Sequence, residues 1–114
     1  MKYNFFFVMV LTFIGSTALA HSEKERMTPA DGAVLEVVPE MIGLRFNDGM
    51  RLTKVEMTHA ETHTEALDLG AQSGFVKEFS LPLTPMGPGM YHIEWRGLGV
   101  DGHPMNGVFS FEVK

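Results

Sequence analysis

Cleavage at the most evident processing signal of this chain would leave a histidine at the new N-terminus. His21 stands directly after the small-residue stretch Gly15-Ser16-Thr17-Ala18-Leu19-Ala20. If the chain is cut after Ala20, the free α-amine and the imidazole Nδ1 of His21 can close a chelate ring on a metal ion. Such a pair favours Cu(II), which takes nitrogen ligands in tetragonal geometry and has the highest affinity of the divalent first-row metals. His21 is therefore a candidate copper ligand.

A second candidate motif is Gly99-Val100-Asp101-Gly102-His103-Pro104, between the two most clearly alternating segments of the chain. One glycine separates Asp101 from His103, so both side chains can face the same point on a loop. Pro104 restricts the backbone of the histidine that precedes it. The alternative interpretation is a hairpin turn in which the Asp101 side chain caps backbone amides. The spacing alone leaves both interpretations open.

The other histidines and methionines are better explained as surface and core residues. His59 and His63 are four residues apart, but their segment has no convincing helical period, so we expect solvated loop histidines. His92 should face outward from a strand, and Trp95 should lie at the centre of the core with Tyr91 packed nearby. Six methionines are expected to fill the core rather than bind metal: Met27, Met41, Met50, Met86, Met90 and Met105.

The first 20 residues have the features of an export signal. Lys2 is the only charged residue among them, an apolar run extends from Phe5 to Ile14, and Ala18-Leu19-Ala20 matches an A-x-A cleavage signal. A membrane-spanning helix needs about 20 apolar residues, so this run is too short for an anchor. We expect residues 1–20 to be a signal peptide that is removed after Ala20, and residues 21–114 to form one exported domain.

The composition argues against several classes of function. The formal net charge is −5, and it becomes −6 when Lys2 is removed with the signal peptide, whereas a nucleic-acid-binding protein normally has a basic stripe. The chain contains no cysteine, which excludes a thiol nucleophile, a thiolate zinc site and a blue-copper centre. It also excludes a lipid-anchored N-terminus. Any binding of a soft metal ion would therefore depend on histidine and methionine side chains.

Period-two alternation dominates the exported part of the chain and predicts short strands. The first clear segment, Ile42 to Phe46, is followed by Asn47-Asp48-Gly49, which predicts a turn. The segment from His59 to Leu69 is interpreted as a loop or a short strand. About seven strands at this spacing predict an antiparallel two-sheet sandwich of immunoglobulin-like type, with a small closed barrel as the competing geometry. Further alternating segments lie at Thr53–Met57, Phe79–Leu81, Tyr91–Arg96 and Phe109–Lys114.

Several motifs occur together along the exported part. His21 lies eight residues before the proline of the predicted turn Pro29-Ala30-Asp31-Gly32. The C-terminal part contains Tyr91-His92-Ile93-Glu94-Trp95-Arg96, then Asp101-Gly102-His103-Pro104, then Gly107-Val108-Phe109-Ser110-Phe111. With these motifs the chain closely resembles the CopC family of periplasmic copper-binding proteins, and the resemblance covers residues 21–114.

The resemblance implies an all-β fold, an immunoglobulin-like Greek-key β-sandwich or barrel of about seven strands. It implies one Cu(II) per chain, bound by His21, Asp101 and His103. An amine, two imidazoles and a carboxylate suit cupric ion. Whether Asp101 contacts the metal or orients one of its ligands stays open.

The resemblance also implies a role. The protein would buffer, carry or deliver copper in the periplasm, in copper homeostasis or resistance, without catalytic turnover. It would exchange copper with an inner-membrane transporter of the CopD type or with other copper-resistance proteins. We expect a monomer with no nucleic-acid partner.

Some members of the family hold Cu(I) in a methionine-rich loop near the middle of the chain. The corresponding region here contains Met57, His59 and His63 without a dense methionine run. We therefore expect no strong Cu(I) site in that region, because thioether ligands suit cuprous ion.

Two alternatives to a copper carrier follow from the same residues. An N-terminal histidine chelate with a second imidazole is also the histidine brace of copper monooxygenases, although those enzymes need an open coordination position and a broad substrate surface. The other alternative is an immunoglobulin-like interaction module that binds no metal. Peroxide production from ascorbate would indicate the enzyme, and absence of copper binding would indicate the module.

Overall fold

The computed structural model describes residues 25–114, which form seven β-strands and no helix. This confirms the predicted all-β class and the number of strands. Within this range no helix is long and apolar enough to cross a membrane. The strands are β1 (Glu25–Thr28), β2 (Ala33–Leu35), β3 (Met41–His59), β4 (His63–Ala66), β5 (Val76–Pro82), β6 (Gly89–Gly99) and β7 (Pro104–Val113).

Strand β3 has 19 residues and changes neighbours along its length. Its first part pairs antiparallel with β1 and β5, and its second part pairs antiparallel with β6 and β4. Met50 pairs with both Val76 of β5 and Gly99 of β6. The turn predicted at Asn47-Asp48-Gly49 is therefore wrong, because these residues lie inside β3. They occupy the point where the strand passes from one set of partners to the other, as strands do at the corners of folded sheets.

The strands form one continuous hydrogen-bonded sheet rather than two separate ones. Its order is β1-β3-β6-β7-β2, with β4 and β5 also paired to β3. Strand β6 lies beside β3, although β4 and β5 come between them in the chain. Such pairing of non-consecutive strands is found in Greek-key connections. The sheet curls around one core, whose most buried side chains include Ile42, Leu44, Val55, Met57, Tyr91, Ile93, Trp95, Phe109 and Phe111.

The β6–β7 hairpin contains the two strands that the sequence predicted most clearly. Its register runs from Gly89 opposite Val113 to Leu98 opposite Pro104. Trp95 is buried in the core as predicted, and its ring meets Phe46 edge-on at a centroid distance of 4.9 Å. This hairpin therefore holds the connection between β6 and β7 on a rigid, well-packed support.

Tyr91 ties the end of the hairpin to the segment that precedes it. Its ring stacks on Phe111 with centroids 5.1 Å apart. Its hydroxyl donates a hydrogen bond to the carbonyl of Gly87 at 2.6 Å and accepts one from the backbone N–H of Met86 at 3.0 Å. A buried tyrosine that bonds to backbone a few residues upstream resembles the tyrosine corner of immunoglobulin-like domains.

The methionines divide between core and surface, which corrects part of the prediction. Met50 is buried, as predicted, and Met27 and Met86 pack partly buried against the core. Three others are exposed on the surface and do not fill the core: Met41, Met90 and Met105. Met41 and Met90 lie on the outward face of their strands, because the residue after each is fully buried, whereas Met105 lies at the exposed start of β7.

Candidate metal centre

The connection between β6 and β7 is a tight hairpin loop. The backbone N–H of Gly99 donates to the carbonyl of His103 at 3.0 Å, and the N–H of Gly102 donates to the carbonyl of Gly99 at 2.9 Å. Gly102 has a φ of 80°, in the left-handed region that glycine adopts without a steric penalty. The glycine between Asp101 and His103 therefore lets the chain reverse and bring the two side chains together.

Asp101 holds His103 by two hydrogen bonds. Its Oδ1 accepts the backbone N–H of His103 at 3.1 Å, and its Oδ2 accepts the ring Nδ1–H of His103 at 2.7 Å. The side-chain bond from His103, and then the backbone bond, lower the pKa of the Asp101 carboxyl below its ordinary value, because both bonds favour the ionised form. An ionised carboxylate can only accept, so Nδ1 carries the proton of this bond, and Nε2 carries the lone pair when the imidazole is neutral.

Both side chains are open to solvent. His103 is 79% exposed and Asp101 is 63% exposed, which is the accessibility that a site needs if it gains and releases an ion. The turn-capping interpretation of Asp101 is confirmed by its bond to the His103 backbone. It does not exclude metal binding, because the same carboxylate also orients the imidazole.

A cleft of about 310 Å³ lies against the loop. The start of β1, the middle of β3, the end of β6 and the start of β7 meet there, so segments distant in the chain surround Asp101. The first described residue of the chain, Glu25, is one of the lining residues. The cleft is lined among others by Glu25, Asp48, Met50, Val100, Asp101 and Met105.

The predicted ligand His21 lies outside the described residues. Among residues 25–114, no three histidine, aspartate or glutamate side chains come together as a metal site. Asp101 and His103 are thus the two predicted ligands that the fold brings into contact.

Comparison with protein families decides the relationship of the chain to known proteins. The family model of the CopC domain matches residues 25–114. The chain belongs to the CopC family. The predicted resemblance is thereby confirmed over the whole of the described fold.

Relatives of the chain within the CopC family carry copper in their names. Copper resistance protein C of Escherichia coli is 30% identical, and the match covers 89% of this chain and 87% of that protein. Copper resistance protein C of Xanthomonas campestris pv. juglandis is 31% identical over 94% of this chain and 91% of its own length. The crystal structure of CopC from Methylosinus trichosporium OB3b matches with a TM-score of 0.66 at 21% identity, over 78% of this chain and 89% of that one. At this identity the structural match supports the CopC fold.

Two further residues of this CopC domain belong to the surroundings of Asp101, and sequence reasoning missed both. Glu25 pairs with Phe46 across β1 and β3 and lines the cleft, and burial raises the pKa of its carboxyl. Met105 lines the same cleft. The available signal was the position of Met105 in the sequence, two residues after His103 at the start of β7.

His59 and His63 lie at the ends of the β3–β4 hairpin, where they pair across the two strands. His63 is exposed and its Nε2–H donates to Glu65 at 3.1 Å. His59 is half-buried, which corrects the prediction of a solvated loop residue: its Nε2–H donates to the carbonyl of Pro88 at 2.8 Å, and its ring packs on Tyr91.

His92 and Met57 are two further residues of this CopC domain that were considered as metal ligands. His92 is exposed, as predicted, and bonds to the Ser110 hydroxyl at 2.8 Å. Met57 is fully buried in β3, so its thioether faces the core and not a loop.

A larger groove of about 720 Å³ lies away from this loop. Its charged lining is mainly cationic, with Arg26, Arg45 and Lys77 beside Glu78. Arg45 is paired with Glu78 at 3.3 Å. Cationic side chains repel a metal cation, which makes this groove the poorer candidate for a metal centre.

Proposed function

We propose that this chain is an exported periplasmic protein that binds one Cu(II) and serves copper homeostasis or resistance as a buffer, carrier or delivery protein. It performs no catalytic turnover. The observation that carries the proposal is the Asp101–His103 pair, in which a carboxylate fixes an exposed imidazole with its Nε2 lone pair free to coordinate. Membership in the CopC family and the copper-resistance names of the relatives support it.

The proposed copper site is formed by the α-amine and imidazole of His21, the imidazole of His103 and the carboxylate of Asp101. His21 precedes Glu25 by four residues, and four extended residues span at most about 14 Å. Because Glu25 lines the same cleft as Asp101, this length allows the N-terminus to approach His103. Three nitrogen donors with a carboxylate nearby suit cupric ion.

Asp101 acts mainly through His103. Both of its oxygens accept bonds from His103, and ligating imidazoles commonly donate their second N–H to a carboxylate that fixes the ring. This arrangement favours an orienting role for Asp101 over a direct bond to copper. The ionised carboxylate also places a negative charge beside the bound cation.

The site requires removal of residues 1–20, because His21 has a free α-amine only after cleavage behind Ala20. The exported domain is then residues 21–114. It works as a monomer, and its exposed ligands let copper pass to an inner-membrane transporter of the CopD type or to another copper-resistance protein.

Intact mass and Cu(II) titration of the exported protein test the proposal. We expect a chain that begins at His21 and binds one equivalent of Cu(II). His21→Ala and His103→Ala should each remove most of the affinity, because each deletes an imidazole ligand. Asp101→Asn should weaken binding by about 10 to 100-fold, the usual effect of losing a group that orients a ligand.

His92→Ala is the matched control, because His92 is also an exposed histidine of the β6–β7 hairpin, bonded to Ser110. Its Cu(II) affinity should equal that of the unchanged protein. Unchanged affinity in His103→Ala, or a chain that starts at another residue, would contradict the assignment. Peroxide production from ascorbate by the copper-loaded protein would indicate the monooxygenase alternative.

A further inference from the structure

The larger groove, of about 720 Å³, is a positively charged surface on an acidic protein. It is termed the cationic groove after the basic residues that line it, Arg26, Arg45 and Lys77. Arg26 of β1 and Arg45 of β3 are exposed and directly opposite each other across the two strands, a position in which like charges repel. Glu78 pairs with Arg45, and among residues 25–114 the ion pairs include neither Arg26 nor Lys77. The groove therefore offers cations to an anionic ligand.

The groove lies where the pairing of β3 with β5 is interrupted. Arg45 pairs with Glu78 and Met50 pairs with Val76, so residues 46–49 of β3 lie opposite a single residue of β5. Bulges of this kind disrupt strand pairing and are frequent beside functional sites. The interruption explains why a groove is present at this point of the sheet.

Exposed apolar side chains continue from the cationic groove to the β6–β7 loop. Val76 lines the groove and is exposed, and Phe75, its neighbour in the chain, is 48% exposed. A Cβ atom on Gly49 would lie 3.0 Å from Phe75 Cβ and 3.1 Å from Val100 Cγ1, so both side chains flank the same glycine. Val100, in the β6–β7 loop, is 61% exposed. Phe75, Val76 and Val100 are termed the apolar rim, and exposed apolar side chains beside polar ones are typical of an interaction surface.

An anionic phospholipid headgroup matches both features. Guanidinium groups bind phosphate oxygens through paired hydrogen bonds, and lysine binds them as a point charge. The apolar rim can enter the bilayer interface, where apolar side chains of peripheral proteins are buried. A free phosphate ion would use the cations and leave the rim in water. Glu78 and Asp101, which follows Val100 in the chain, oppose the attraction, whereas distant carboxylates are largely screened at about 0.1 M ionic strength.

We propose that the cationic groove and the apolar rim dock the exported protein on anionic phospholipid headgroups. The basic side chains contact the headgroup phosphates, and the rim enters the bilayer interface. The proposal rests on the export proposed above, which places the domain beside the inner membrane. Val100 adjoins Asp101 in the chain, so docking in this orientation holds the proposed copper site close to the membrane surface.

Sedimentation with phospholipid vesicles tests the docking. The exported protein should bind vesicles that contain phosphatidylglycerol, should not bind vesicles of phosphatidylcholine alone, and should dissociate as the salt concentration rises. Each basic residue near an anionic surface contributes about 1 kcal/mol, which is about fivefold in the binding constant. Arg26→Gln combined with Lys77→Gln should therefore weaken binding by about 25-fold. Phe75→Ser should weaken it several-fold, because less apolar area is then buried.

Lys54→Gln combined with Arg96→Gln is the matched control. It also removes two positive charges from exposed residues, but these are already paired with Glu56 and Glu94, and the four side chains lie together away from the cationic groove. Vesicle binding should stay within about twofold of that of the unchanged protein. Equal losses in the two double variants would show an effect of net charge alone and would overturn the inference.

Two further arms separate the sources of the anionic group. Displacement from the vesicles by inorganic phosphate, at an ionic strength at which chloride does not displace the protein, would assign the groove to free phosphate and overturn the inference. Binding to a polyglutamate peptide without binding to vesicles would assign it to an acidic protein and overturn it as well. Cu(II) titration of the same protein is independent of the vesicles, so a protein that binds vesicles but no Cu(II) supports the docking and contradicts the proposed function alone.

Discussion

Asp101 and His103 form a unit whose geometry depends on the protonation of one carboxyl. The lowered pKa of Asp101 means that the folded chain binds a proton there less readily than the unfolded chain does. The two bonds to His103 therefore contribute above the ordinary pKa of an aspartate and are lost as the pH falls through the lowered pKa. Both side chains are exposed, so this contribution matters for the orientation of the imidazole more than for global stability.

An NMR titration of the copper-free protein checks this shift. The Asp101 carboxyl should titrate below the ordinary range of aspartate, and His103→Ala should raise its pKa because the side-chain bond is the main cause of the shift. His92→Ala should leave it unchanged. A normal pKa for Asp101 in the unchanged protein would show that the ring bond does not persist in solution.

At the scale of elements, the β6–β7 hairpin depends on one close approach between a side chain and a backbone. Trp95 and Gly107 are paired across the two strands. A Cβ atom on Gly107 would lie 2.5 Å from Trp95 Nε1 and 2.6 Å from Cε2. The indole therefore lies directly over the glycine, and its ring also contacts Phe46 of β3.

Gly107→Ala should consequently destabilise the fold by about 1 to 3 kcal/mol, the usual range for overpacking. The indole cannot move aside without disturbing Phe46. Urea unfolding measures the change in the free energy of unfolding. Gly43→Ala is the control, because the nearest atom to a Cβ there is 3.4 Å away, and it should change stability by less than about 1 kcal/mol. Equal effects in both variants would contradict the packing argument.

At the scale of the whole molecule, copper would connect parts of the chain that are distant in sequence. The cleft is lined by the start of β1, the part of β3 where the strand changes partners, and the β6–β7 loop. A ligand that binds only the folded chain stabilises it by about 4 kcal/mol at a thousandfold excess over Kd. For a domain of this size, that corresponds to a rise of about 15 to 30 °C in melting temperature.

This stabilisation should depend on pH. Reference pKa values are about 7.7 to 8.0 for an α-amine and 6.5 for an imidazole, and copper must displace the protons of these ligands. The rise in melting temperature with one equivalent of Cu(II) should be large at about pH 7.5 and small at about pH 4.5, because the protons bound at the lower pH compete with copper. Melting curves at both values measure it, and an equal rise at both would exclude amine and imidazole ligands.

Much of the fold and part of the site followed from sequence alone. Period-two alternation predicted the strands and placed Trp95 and Tyr91 in the core, because alternation reports directly which side chains face the interior. The Asp101-Gly102-His103 spacing allowed either two side chains that face one point or a turn capped by Asp101, and the structure contains both, since glycine permits the required reversal. The motifs around them were enough to indicate the CopC family.

Other features depended on the tertiary structure. Asn47-Asp48-Gly49 has the composition of a turn but lies within β3, because the residues on both sides of it pair with other strands and the irregularity in the β3–β5 register falls between them. Glu25 and Met105 line the cleft beside Asp101 only because β1 and β7 reach it from different parts of the sheet. Local sequence specifies how a segment alternates and turns, whereas long-range strand pairing decides which segments become neighbours. The surroundings of the proposed copper site are formed by such long-range pairing.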